Sequence, residues 1–182
     1  MAKNKKEAKM KLKTKNFTLR HIKLSDAKDY FESHQDKAVK KGFMTVPKSF
    51  GEARKEVKEK ISAFKKKKPT GETFVIEIKG KFAGYVEINN LNKKYHEHKG
   101  SITYLLKKEF RGKGLMVKAV KLVTNYAFKK YKLKRIEGWC RTFNKASANV
   151  AKRSGYKLEG ILRKNKKKNG KYMDDMIWAK VR

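Results

Sequence analysis

The sequence predicts a mixed α/β domain, with a central, largely antiparallel sheet of about seven strands flanked by about four helices. Three observations carry this. Ile102-Thr103-Tyr104-Leu105-Leu106 is rich in strand formers, and beyond a glycine-containing loop Leu115, Ala119, Leu122, Val123, Tyr126 and Ala127 recur at the spacing of one helix face, with Lys118, Lys121, Lys129 and Lys130 on the other. Thr73 to Ile78 and Phe82 to Ile88 alternate on either side of a Gly80-Lys81 turn, the pattern of a hairpin. Asn169-Gly170, between Tyr156–Arg163 and Tyr172–Val181, is the best local hairpin signal in the chain.

Taken in order, residues 1–15 form a basic arm carrying Lys3, Lys5, Lys6, Lys9, Lys11, Lys13 and Lys15, with too few apolar partners to order itself. Residues 16–182 form one domain. Phe17 to Ile22 reads as its first strand, and Ser25 as the cap of a helix with Ala27, Tyr30 and Phe31. Ser49 followed by Glu52 has the spacing of a capping box for a second helix through Val57, Ile61 and Phe64, which Pro69 and Gly71 end. Asn89 to Lys99 is polar and reads as a loop. After the long helix come a short strand, Arg135 to Cys140, and a helix from an Asn144 N-cap to Ser154, closed by Gly155.

The charge is unusual: 51 Lys plus Arg against 17 Asp plus Glu leave +34, spread along the whole chain. Such a field draws polyanions and repels polycations, so RNA or the ribosome is a candidate partner for the basic surface. A solvated tail is the plainer reading of the arm. One cysteine, Cys140, excludes an internal disulfide framework. No apolar run approaches the ~20 residues of a membrane span, and a cytoplasmic location is expected. Oligomeric state has no sequence signature here.

The loop before the long helix, Arg111-Gly112-Lys113-Gly114-Leu115-Met116, sets unpaired N–H groups and the positive end of a helix dipole at one point, which suits a phosphate. It is not a P-loop, because no Lys-Ser or Lys-Thr follows the last glycine, and it lacks the third glycine of the dinucleotide fingerprint. A bare Gly-x-Gly is also an ordinary tight turn. In context, however, Arg111-Gly112-Lys113-Gly114 resembles the coenzyme A pyrophosphate loop of the GCN5-related N-acetyltransferases (GNAT). A second stretch, Trp139 through Tyr156 with Asn144-Lys145-Ala146-Ser147 inside it, is similar to the branch of that family that acetylates ribosomal proteins. With Phe17-Thr18-Leu19-Arg20, Leu158 to Arg163 and Asp175, the resemblance spans about residues 16–181.

The resemblance implies the GNAT fold and transfer of an acetyl group from acetyl coenzyme A to an amine. The backbone of Leu105 and Leu106 is then expected to meet the pantetheine and acetyl carbonyl, and residues Arg111 to Met116 the pyrophosphate. Asn144 and Ser147 match the Asn-x-x-Ser box, whose serine hydrogen-bonds the departing thiolate; ordinary helix capping is the plainer alternative for both. Many relatives carry a tyrosine acid where this chain has Ala151, and an acidic base where it has Lys164 and its neighbours. Glu87, Asp174 and Asp175 are the substitutes for that base. Cys140 falls where similar enzymes keep a cysteine near the thioester, although a small buried hydrophobe is the simpler account.

No metal is expected, since His96 and His98 fit a polar loop better than a ligand set. The acceptor implied is the N-terminal α-amine of a protein, with ribosomal proteins as candidates. An α-amine, with a reference pKa of about 7.7–8.0 against about 10.4 for lysine, needs a dedicated base less. The alternatives are a small amine such as a polyamine or aminoglycoside, and a non-catalytic module that binds coenzyme A and RNA.

Overall fold

A computed structural model describes residues 11–182. The chain runs β1 (Lys11–Lys13), β2 (Thr18–His21), α1 (Ala27–His34), α2 (Lys37–Gly42), α3 (Phe50–Lys65), β3 (Gly71–Ile78), β4 (Lys81–Asn89), β5 (Lys99–Leu106), α4 (Leu115–Lys130), β6 (Arg135–Arg141), α5 (Lys145–Arg153), β7 (Lys157–Lys168) and β8 (Lys171–Val181). The strands form one sheet in the order β1-β2-β3-β4-β5-β6-β8-β7. Every neighbouring pair is antiparallel except β5 and β6, whose parallel pairing requires the crossover that α4 supplies.

Two elements go beyond the sequence reading. Lys11–Lys13, from the basic arm, pairs with Thr18–Arg20 as an edge strand. The first ten residues of that arm lie outside the described residues. Helix α2 is short, and Asp36 starts it by accepting hydrogen bonds from the N–H groups of Ala38 and Val39 at 2.8 and 3.1 Å.

Two caps differ from expectation. Ser25 does not cap α1: it lies inside a 3₁₀ turn, Leu24–Asp26, and the Asp26 carboxylate takes the Lys23 N–H at 2.8 Å. At α3, Ser49 accepts from the Glu52 N–H as expected, but the Glu52 carboxylate takes the N–H of Lys48 instead of Ser49. Gly155 has φ +86°, and the bonds Gly155 N–H to Lys152 O and Tyr156 N–H to Ala151 O close α5 in a Schellman motif.

The central strands are buried on both faces. Phe74, Ile76, Val86 and Ile88 pack with α4 residues Ala119, Val120 and Val123. Their sequence neighbours Val75 and Tyr85 point the other way, against Ala53 and Val57 of α3 and Tyr30 of α1. That two-sided burial is why β3 and β4 read as nearly continuous apolar runs. β7, by contrast, is an exposed edge with Leu158, Ile161 and Leu162 open to solvent. Among the described residues no helix is long and apolar enough to cross a membrane.

Candidate active site

The parallel pair is incomplete. Lys99–Ile102 pair with Arg135–Gly138, and beyond that point β5 and β6 part. A cavity of about 800 Å³ opens between them. Thr103 to Leu106 form one wall, Trp139 to Arg141 and α5 the other, and Val39, Gly42 and Phe43 at the end of α2 close over it. The start of α4 lies at one end.

There the loop adopts the conformation its glycines permit, with φ +81° at Gly112 and +68° at Gly114, and an added Cβ at either would meet nothing within 4 Å. Gly114 is the N-cap of α4 and offers no side chain to it, so the first N–H groups of the helix have no acceptor within the helix. Leu115 and Met116 turn their side chains into the core and leave those groups to the cavity end. Lys113 is exposed. Arg111 donates from Nε to the Leu106 carbonyl at 2.9 Å and lies 3.6 Å from the Asp36 carboxylate. Burial raises the Asp36 pKa, but the Val39 N–H and Arg111 outweigh it and hold the group below its ordinary value.

Strand alternation separates the two leucines. An added Cβ on Gly84 of β4 would lie 2.2 Å from the Leu105 carbonyl oxygen, so that oxygen faces β4. Successive backbone groups alternate in direction, which turns those of Leu106 toward the gap. Leu105 contributes its buried side chain to the wall.

At the other end Asn144 caps α5, its Oδ1 accepting the Ser147 N–H at 3.1 Å. The hydroxyl of Tyr104, on β5, crosses the gap to lie 3.0 Å from Ser147 Oγ and 3.0 Å from the Ser147 carbonyl oxygen. Burial pushes the Tyr104 pKa up to about 12, and Ser147 tempers the rise. The buried thiol of Cys140 is raised by desolvation despite the Ser147 hydroxyl and the Trp178 indole N–H beside it. Ala151 is buried in the core.

None of the three substitute bases lines this cavity. Glu87 faces α3, where Lys60 pairs with it at 2.7 Å and Thr73 donates at 3.1 Å. Asp175 is buried against Arg141 and accepts from Asn165 at 2.8 Å, and Asp174 accepts the Lys164 N–H at 2.7 Å. Among the described residues the cavity lining holds no carboxylate, but it includes Lys41, Arg111, Arg141, Lys145 and Arg153. His96 and His98 sit together in the loop after β4, and no cluster of metal-ligand type occurs among the described residues. Sequence reasoning missed α2 as a wall and Tyr104 as a partner of Ser147. The first had a signal in Asp36; the second had none, because the two residues are 43 apart.

An acetyltransferase (GNAT) domain family matches residues 16–157. The chain belongs to the GNAT family. Among curated proteins it is 45% identical over 78 residues to the probable N-acetyltransferase YjcK of Bacillus subtilis, a match covering 43% of each chain. It is 32% identical over 100 residues to the putative ribosomal N-acetyltransferase YdaF of the same organism, covering 55% of this chain and 54% of the relative. To the spermidine N(1)-acetyltransferase of Escherichia coli it is 30% identical over 100 residues, covering 54% and 52%. The chain thus spans about half the length of the curated relatives it matches. A solved ribosomal-protein-S5-alanine acetyltransferase from Vibrio fischeri superposes with a TM-score of 0.83 at 25% identity, over 94% of this chain and 96% of that one. The mixed sheet with its parted parallel pair is therefore a GNAT fold. Its open glycine cradle, free helix N–H groups, unpaired strand edge and cationic lining suit the long, polyphosphate-bearing coenzyme A of this family.

Proposed function

We propose that this protein transfers an acetyl group from acetyl coenzyme A to the N-terminal α-amine of a protein, with acidic N-termini, ribosomal ones among them, as the preferred class. The observation that carries this reading is the parted β5–β6 pair, with a phosphate-type helix start at one end and Ser147 at the other. When bound, the coenzyme supplies the activated thioester. The N–H groups at the start of α4 would hold its pyrophosphate with Arg111 and Lys113 nearby, and the backbone of Leu106 would orient the pantetheine arm. Asn144 fixes the first turn of α5 and so sets Ser147 on the cavity wall, where its hydroxyl is the donor for the departing thiolate.

A lining to which the described residues give no carboxylate bears on the acceptor. Deprotonating a lysine side chain near neutral pH needs a base, whereas an α-amine near 7.7–8.0 is already partly neutral. The same lining is unfavourable for a polyamine, whose several positive charges would meet Lys41, Lys145 and Arg153 there, beside the carboxylate-paired Arg111 and Arg141. Against that stands the likeness to a spermidine acetyltransferase, so spermidine is the competitor to test. The basic surface, residues 1–15 included, would serve ribosome or RNA association in the cytoplasm.

The test compares a peptide with a free N-terminus followed by acidic residues, its lysine-substituted counterpart and spermidine, each at low and physiological salt. The acidic peptide is expected to be acetylated fastest, with kcat/KM falling as salt rises, because steering of this kind changes association by roughly 10–10³-fold. Faster acetylation of spermidine would reject the acceptor assignment. Binding of coenzyme A without turnover on any amine would reject the enzyme.

A further inference from the structure

Tyr104 stands where the two walls of the gap meet. Its neighbour Leu105 packs toward α1 and α3, and alternation sends Tyr104 to the α4 and α5 side, where its ring packs against the larger core. The hydroxyl then reaches Ser147 from a strand otherwise separated from α5 by the cavity.

A phenol has one proton to give, and Ser147 presents two oxygens at equal distance. If the Tyr104 proton goes to the Ser147 carbonyl, the serine hydroxyl donates to the phenol oxygen. If Tyr104 donates to Ser147 Oγ, the serine proton is released to a different acceptor in the cavity. We propose that Tyr104 is a positioning residue for acetyl transfer, switching its hydrogen bond to Ser147 Oγ so that the serine proton turns to the departing sulfur. Neither O–H bond breaks in the switch. This inference rests on the role given to Ser147 above.

Two neighbours on that wall are excluded from the part: Asn144 spends its oxygen on the helix cap, and Ala151 has no donor. Burial keeps Tyr104 protonated through the neutral range, so it serves as a donor and not as a base.

The experiment reads the thiol of bound coenzyme A directly, by its ultraviolet thiolate absorbance against a desulfo-coenzyme A complex, and needs no acceptor. Tyr104→Phe is expected to raise that thiol's pKa by about one unit, the size of a lost hydrogen bond to a charge, with little change in affinity for desulfo-coenzyme A. Ser147→Ala should do the same, and the double variant should show no more than Ser147→Ala alone. At position 104, 4-aminophenylalanine, which keeps a donor, should restore the value, and 4-methylphenylalanine, of similar bulk without a hydrogen bond, should not. An unshifted thiol in Tyr104→Phe, additive shifts in the double variant, or equal values for the two non-natural residues would overturn the role of Tyr104 and leave the proposed function standing. Failure of the wild-type protein to bind coenzyme A would overturn both.

Discussion

The two ends of the β5–β6 seam are made of the same two strands and behave oppositely. At the closed end Lys99–Ile102 pair with Arg135–Gly138, and the chain before β6 is tied in by the Lys134 N–H on the His98 carbonyl at 2.7 Å. Charges clasp the same end: Glu137 accepts from Arg135 at 2.8 Å and Lys99 at 3.3 Å, and buried Glu72 accepts from Tyr131 at 2.6 Å and from Lys130. At the open end the strands lose each other, and none of the described carboxylates lines the cavity between them. The closed end keeps its strands paired and its charges clasped, and the open end sets helix N–H groups and the cations Lys41, Lys145 and Arg153 on the cavity wall. A site held ready for a ligand is more precise when rigid, packed structure supports it.

Changes at the open end should therefore alter coenzyme binding or chemistry, and changes at the closed end stability alone. The largest effect is expected for Ser147→Ala, with turnover lower by ~10²–10⁴-fold, a far smaller change in coenzyme A affinity and an unaltered melting temperature. Wild-type turnover in the folded variant would reduce Ser147 to a helix residue.

Gly114→Val comes next. A β-branched residue at φ +68° carries about 1–3 kcal/mol of strain, and its side chain would stand where a phosphate approaches the helix start. Coenzyme A affinity should fall by roughly 10–100-fold, the worth of one or two hydrogen bonds to a charge. Calorimetry finding wild-type affinity in a folded variant would remove the loop from the site.

At the closed end, Glu72→Gln should lower stability by about 1–3 kcal/mol while leaving coenzyme A affinity as it was. Burial raises the Glu72 pKa, but His21, Lys130 and Tyr131 outweigh it and hold it at about 2. A carboxylate depressed in the folded state contributes stability that is fully present above its unfolded pKa, about 4.3, and is lost as pH falls toward 2. The wild type should accordingly lose more stability than the variant between those limits. Parallel acid-unfolding curves would mean that Glu72 is not the clasp.

Much of this protein was legible from local pattern alone. The amphipathic face of α4, the glycines before it, the Asn144 cap, the Gly155 stop and the Asn169-Gly170 turn each depend on interactions within about four residues, and each is in place. The excess of positive charge is likewise a property of composition. Short elements escaped: β1 and α2 are too brief for a period to emerge, and only the Asp36 cap marks α2. Ser25 was misread because a capping residue type was present, while the neighbouring Asp26 took the bond.

What tertiary structure alone decided is the gap and its contents. Where β5 leaves β6, which way Glu87 faces, and the meeting of Tyr104 with Ser147 all depend on contacts between segments tens of residues apart. Periodicity assigns a side chain to one face of its own strand or helix. Which other chain segment that face then meets is set by sheet order and by the crossover that α4 makes, and no local spacing in the sequence encodes either.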